Sequence, residues 1–169
     1  MACYISFSIN GRDLMISEDN PYDIKMWKTH NGGYNLKKPR WNQLKLKTNK
    51  EGYKLISIKP KQYLLHRVNY YAHNQTWNIH DSSPSNQVDH EDINNLNNNI
   101  ENLRVVTHQE NHFNRKCKGY CWNKSRQKWR AQICVNGKKK HLGLFVLEEE
   151  AHQAYLEAKK ILHIIPNRK

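Results

Sequence analysis

The sequence predicts an α+β chain built in two parts, and three observations carry that prediction. Residues 88–116 run strand, loop, strand, helix, with a helix-start signal at the last junction. Residues Trp129 to Val135 alternate apolar and polar side chains and lead into Asn136-Gly137, a two-residue turn that tolerates positive φ. From about Leu147 to His163, Ala151, Ala154, Tyr155, Ala158 and Leu162 recur on one helical face.

The elements follow in order. Cys3 to Ile9 alternates as a strand does. Residues 37–61 are basic, with Lys37, Lys38, Arg40, Lys45, Lys47, Lys50, Lys54, Lys59 and Lys61 against a single acid, Glu51. Trp27, Tyr34 and Trp41 are interleaved with that region. Basic and aromatic residues together suit a nucleic-acid groove, and a solvated surface over a few core aromatics reads equally well. Gly52 to Ile58 is a strand. Leu64 to His73 is a helix, since Leu64, Val68, Tyr71 and Ala72 share a face. Asp81 to Asn86 is a polar loop.

Val88 to Glu91 and Leu103 to Val106 are short strands around an asparagine-rich loop, Asn94 to Asn99. Thr107 opens a helix, and Glu110 three residues later completes a capping box. Counting pairs outward from Asn136-Gly137 places Ala131, Ile133, Leu142 and Leu144 on one face of a hairpin. Arg130, Gln132, Cys134, Lys139 and His141 fall on the other. Glu148, Glu149 and Glu150 begin the last helix, and Lys159 and Lys160 come late in it, both favourable for the helix dipole. Its small alanines let it lie close on the apolar hairpin face, which leaves the basic face open.

The chain has 169 residues and a formal net charge of +13. That length fits one domain or two small ones, with modest cores. The excess of positive charge points to a polyanionic partner, nucleic acid first. From Asn111 to Leu147 there is no acidic residue, while ten lysines and arginines fall there, from Arg115 to Lys140. Cys3, Cys117, Cys121 and Cys134 form no regular framework and read as free thiols of a reducing compartment. Met1 to Ser8 does not read as a signal peptide, and no stretch approaches the roughly 20 apolar residues of a membrane span. An intracellular protein is expected, in the cytoplasm or nucleus of a host cell.

Asp89 and His90 are adjacent on a short strand, and Asn111 sits on the capped helix. Phosphodiester hydrolysis needs an activated water, charge stabilisation at phosphorus and help for the leaving oxygen. A carboxylate and an amide oxygen are suitable ligands for Mg²⁺, and a histidine titrates near neutrality, where it can take the proton from water.

On these residues the chain resembles the HNH endonucleases, with their ββα-metal fold, and within them the homing branch of phage introns and viral genomes. The matching residues are Asp89-His90, the asparagine-rich loop, Asn102 to Thr107, and Glu110, Asn111, Asn114 and Arg115. Upstream, His66-Arg67-Val68 after the Gly52–Ile58 strand also matches. The resemblance covers residues 52–116. It implies that His90 is the general base and that Asp89 and Asn111 hold one Mg²⁺ or Mn²⁺. It makes Asn102 the middle asparagine of the motif, bracing the loop that orients His90. The third motif position is asparagine rather than histidine, a variant form. The implied products carry a 5′-phosphate and a 3′-hydroxyl. His66 reads as an active-site neighbour or as a polar residue at a helix start. Arg67 and Arg115 each read as phosphate contacts or as surface.

Residues 118–163 resemble the Apetala/ethylene-response-factor DNA-binding domains, through Lys118 to Ile133, His141 to Phe145 and Glu148 to Lys160. That resemblance implies a three-stranded antiparallel sheet in the DNA major groove, packed on one helix. Lys118, Gln132, Lys139 and His141 would face DNA, and Lys124, Arg126 and Arg130 would meet phosphates. Cys121 and Cys134 stand where the plant proteins carry DNA-contacting arginines, and His141 where they often carry tryptophan, so the plant target sequence does not transfer. Basic residues that hold only phosphates would give affinity without base readout.

The expected division is therefore a nuclease domain over residues 1–117, with its catalytic core at about 87–116, and a DNA-binding domain over 118–169. The chain is read as a monomeric endonuclease acting on double-stranded DNA at or near a recognised site, encoded by a virus or mobile element. A non-catalytic DNA-binding regulator and a nonspecific nuclease are the rival functions. His108, His112, Cys117 and Cys121 also fall at spacings compatible with zinc.

Overall fold

A computed structural model of the chain describes residues 2–31 and 34–165. Met1 and the side chains of Tyr34 and Lys37 lie outside what it describes. The chain divides into two compact units, Met1–Ser83 with Val88–Val105, and Pro84–Gln87 with Val106–Lys169. The capped helix thereby groups with the C-terminal segment.

In the first unit, β1 (Tyr4–Ile9), β2 (Arg12–Ser17), β3 (Ile24–Asn31) and β4 (Tyr34–Gln43) form one antiparallel sheet in sequential order. Residues β5 (Lys47–Thr48), β6 (Lys54–Ile58) and β7 (Lys61–Leu64) form a second, three-stranded sheet. Helix α1 (Leu65–His73) follows directly. The core is made by the inward alternation of these strands, with Phe7, Ile9, Leu14, Ile16, Ile24, Ile56 and Ile58 meeting Val68 and Ala72 of α1. The predicted helix is present but starts at Leu65, since Leu64 closes β7; Val68 and Ala72 of the expected face are buried, Leu64 and Tyr71 are only half-buried, and Leu65 and two polar residues, His66 and Asn69, are buried with them.

Strands β8 (Gln87–His90) and β9 (Leu103–Val106) form a two-stranded sheet, joined by the asparagine-rich loop and a 3-10 turn at Ile100–Asn102. Helix α2 (His108–Phe113) follows. Its start is the predicted capping box. The Glu110 amide donates to Thr107 Oγ1 at 3.2 Å, and the Thr107 amide donates to Glu110 Oε2 at 2.7 Å.

The second unit continues with β10 (Tyr120–Asn123), β11 (Lys128–Val135), β12 (Lys138–Phe145) and α3 (Glu148–Leu162). The three strands form one antiparallel sheet, and α3 packs on it. The turn residues Asn136 and Gly137 have φ of 52° and 71°, the left-handed pair a two-residue hairpin requires. Ala131 and Ile133 are buried with Ala151 and Tyr155. Gly119 has φ of +74°, and a Cβ there would lie 2.0 Å from the Tyr155 ring, so only glycine lets the chain enter β10 this closely under α3.

One face assignment is corrected. The register holds from the turn out to Gln132↔His141, then shifts, and Ala131 pairs with Gly143 while Arg130 pairs with Leu144. The bulge takes in Leu142 as an extra residue. A bulge of this kind reverses the facing of everything beyond it. Leu144 therefore lies on the Arg130 face, half-exposed, and Phe145 replaces it opposite Trp129.

Candidate active site

Strand β8 ends in Val88, Asp89 and His90, all buried. The Asp89 carboxylate is paired with Arg104 of β9, whose Nη2 lies 3.1 Å and Nε 3.3 Å from Oδ2. A carboxylate accepts about four bonds over its two oxygens, so this pairing is compatible with a metal contact as well.

His90 is fixed by a chain of uncharged groups. Its Nε2 lies 3.1 Å from Asn98 Oδ1. The Asn98 amide nitrogen donates to the Tyr22 hydroxyl at 3.0 Å, and that hydroxyl donates to the Leu96 carbonyl. Because the Asn98 nitrogen is used toward Tyr22, its oxygen faces His90 as an acceptor. Nε2 then carries the ring proton, and Nδ1 is the basic nitrogen. Asn69 of α1 donates to the Asn98 carbonyl at 2.6 Å and holds this residue from behind.

His66 lies edge-on to His90, with ring centroids 4.9 Å apart, and Tyr53 closes against both rings. His66 is the second residue of α1 and also the neighbour of His90, so both readings of it hold. Burial pushes its pKa down to about 3, helped by His90 and Arg67. It is a neutral ring at physiological pH.

The loop after His90 is braced by Asp92 and Asn102. Asn102 Nδ2 donates to Asp92 Oδ1 at 2.9 Å and to the Asn97 carbonyl at 2.8 Å, while its Oδ1 accepts from the Asp92 amide at 3.1 Å. Asn97 Nδ2 donates to Asp92 Oδ2 at 2.8 Å. Desolvation works against the Asp92 charge, but the bonds from Asn97, Asn94 and Asn102 outweigh it and hold the carboxyl below its ordinary value. Asn102 thus acts on the loop and does not touch His90; Asn98 does. Ile93 has φ of 63°, a conformation a β-branched side chain adopts only under constraint, at a cost of roughly 1–3 kcal/mol.

Asn111 lies on α2 in the second unit. Its Nδ2 donates to Gln87 Oε1 at 2.8 Å, and Gln87 Nε2 in turn meets His108 Nδ1 at 3.2 Å. That bond uses the amide nitrogen; the amide oxygen is the atom a hard cation would take. Asp89 belongs to the first unit and Asn111 to the second, and each side chain carries an oxygen donor of the kind hard divalent cations take. Of the zinc candidates, His108 and His112 meet, with Nε2 atoms 3.0 Å apart. Among the described residues no group of three or more His, Cys, Asp or Glu side chains is gathered as a metal site.

The other predicted contacts divide by environment. Arg67 is half-buried and committed to the fold, where Nη2 donates to the carbonyls of Ile79 at 3.1 Å and Asp81 at 2.9 Å and the guanidinium lies over Trp77. Arg115, Lys118, Lys124, Arg126, Lys139 and His141 are exposed. On the sheet, the register puts Arg130, Gln132, Cys134, Lys139 and His141 on the face away from Ala131 and Ile133. Arg130 is half-buried, its Nη2 3.6 Å from Cys121 Sγ, and its Nε is buried without a partner.

Sequence reasoning did not single out Asn98, Tyr53, Tyr22 or Arg104. Asn98 was visible only as one of several asparagines in a tract, and nothing local marks which of them reaches the histidine.

Residues 63–113 match the family model for HNH endonucleases, which supports a nuclease whose substrate is nucleic acid. The matched span contains Asp89, His90, Asn98, Asn102 and Asn111. Members of that family generally use a divalent metal. No curated protein and no solved structure matches the chain. No helix among the described residues is long and apolar enough to cross a membrane.

Proposed function

We propose that this chain is a metal-dependent DNA endonuclease of the HNH homing type, cutting double-stranded DNA at or near a site it recognises. The observation that carries this reading is His90, buried, with Nε2 tied to Asn98 and its neighbour His66 neutral. A buried, oriented imidazole presenting Nδ1 as a base is what water activation requires. His90 takes a proton from the attacking water. The water oxygen bonds to phosphorus as the P–O3′ bond breaks, and the departing O3′ takes up a proton from solvent, leaving a 5′-phosphate and a 3′-hydroxyl. Asp89 and Asn111 would hold one Mg²⁺ or Mn²⁺, which when bound supplies charge stabilisation at the phosphate and the leaving oxygen. Asn102 braces the loop that carries the histidine's partner.

The three-stranded sheet of the second unit is assigned to DNA placement, as an Apetala-type module over residues 118–169, the nuclease domain taking residues 1–117. Gln132, Lys139 and His141 would face the groove, with Arg115, Lys118, Lys124, Arg126 and Arg130 toward phosphates. Support comes from the acid-free run around them and their shared face. The chain acts as an intracellular monomer of viral or mobile-element origin.

The test is plasmid relaxation with and without Mg²⁺, wild type beside His90→Ala. Metal-dependent nicking or linearisation lost in the variant is the expected result. Binding without cutting across several divalent metals and substrates would make the chain a regulator, and uniform degradation of unrelated plasmids would make it a nonspecific nuclease.

A further inference from the structure

The acid-free run around the C-terminal sheet has a counterpart. From Ile24 to Lys50 the chain also contains no aspartate or glutamate, while Lys25, Lys28, Lys37, Lys38, Arg40, Lys45, Lys47 and Lys50 fall within it. This stretch is strands β3 and β4 and their continuation. Strand β2 pairs with β3 only from Ile24 to Met26. Beyond that point, among the described residues, β3 pairs with β4 alone, Trp27 opposite Trp41 and Lys28 opposite Arg40. Residues 27–31 and 34–41 are therefore, among the described residues, a two-stranded ribbon extending past its own sheet. Such ribbons are marginal in water without a third layer.

At the base of the ribbon the two tryptophans form an edge-on pair, ring centroids 5.3 Å apart, 38% and 36% exposed. They border a shallow concavity with Ser6, Ser8, Tyr71 and Gln75. Asp13 also lines it, its carboxylate bonded by Ser8 Oγ at 2.6 Å. Alternation along the strands puts Lys28 and Arg40 on the opposite side of the ribbon from the tryptophans, and Lys38 and Arg40 are exposed. The root of the ribbon is tied to the histidine's support. Gln43 Nε2 approaches the Tyr22 carbonyl at 3.5 Å, and the Tyr22 hydroxyl accepts from Asn98.

We infer that the ribbon made by the ends of β3 and β4, residues 27–31 and 34–41, is a DNA-gripping arm that enters a groove of the duplex beside the cleavage position, with Lys28, Lys38 and Arg40 toward phosphates and the Trp27–Trp41 pair against the sugar and base edges. A two-stranded ribbon fits the major groove of B-form DNA, and a ribbon free of acids suffers no repulsion from either phosphate wall. The arm deepens the nucleic-acid part of the proposed function and is independent of the hydrolytic step.

The experiment is duplex DNA binding by the full chain in EDTA, so that no cutting intervenes, across a series of salt concentrations. The Lys28→Ala/Lys38→Ala/Arg40→Ala variant is expected to lower the slope of log affinity against log salt by up to about 2.7, at about 0.9 per phosphate contact, and to weaken binding about tenfold or more near physiological salt. A Trp27→Phe/Trp41→Phe variant is expected to lose part of the tryptophan fluorescence change that DNA produces in the wild type. Thermal melting of each variant checks that it folds. A folded triple variant with unchanged slope and affinity, or tighter binding to single-stranded RNA than to duplex DNA, overturns the arm. Loss of binding in the variant with no metal-dependent cutting by the wild type would sink the nuclease reading and leave the arm standing.

Discussion

Around His90 the polar groups are buried, mostly uncharged and bonded to one another, whereas on the outer face of β11 and β12 they are exposed or half-exposed and their formal charges are all positive. On the proposed reading, the two regions divide the requirements of a DNA endonuclease. A base must sit at one place and in one tautomer, which burial and amide bonds supply. Holding a polyanion needs only many cations within reach of phosphates, which exposure supplies at little cost in stability. Substitutions in the first region should therefore alter turnover and spare binding, and substitutions in the second should do the reverse.

The strongest challenge to that division is His90→Ala. Turnover is expected to fall roughly 10²–10⁴-fold while DNA affinity stays within about twofold, measured by single-turnover cleavage beside a binding titration. Equal losses in both would mean His90 supports the fold rather than the reaction. Next comes Asn98→Ala, which removes the partner of Nε2 and the link to Tyr22. A reduction of about 10–100-fold in turnover with an unchanged salt slope is expected, as for other residues that orient a catalytic ligand. On the other side, Arg130→Ala/Lys139→Ala should leave turnover at saturating DNA unchanged and flatten the salt slope of binding by about 1.8, at about 0.9 per contact. A smaller effect concerns pH. His66 is neutral in the folded chain because burial holds its pKa near about 3, while the unfolded chain takes up a proton below about pH 6.5. Stability conferred by the neutral ring is complete above that pH and declines as pH falls from about 6.5 toward about 3. Urea midpoints at about pH 5 and about pH 7.5 would show this, and His66→Phe should shrink the difference.

What could be read from the sequence follows the range of the interactions involved. The Thr107–Glu110 capping box, the Asn136-Gly137 turn and the alanine stripe of α3 depend on neighbours a few residues away, and each sits where its pattern indicates. Asp89 and His90 were legible as an adjacent pair. Strands β2, β3 and β4 were not legible, because half their residues are polar or basic and their burial comes from one face of a sheet formed with β1. The side of Leu144 was lost to a bulge that no residue type announces. Asn98 needed Tyr22, 76 positions away, to distinguish it from its neighbours in the tract.

The loop that carries Asn98 has one further consequence. Its internal ties are mostly asparagine amides and backbone groups around Asp92, whose negative charge is met by short-range donated hydrogen bonds. Counterions have little to screen there. Raising ionic strength should loosen the enzyme's hold on its substrate while the catalytic geometry persists, so KM would climb and kcat would remain level across the same series.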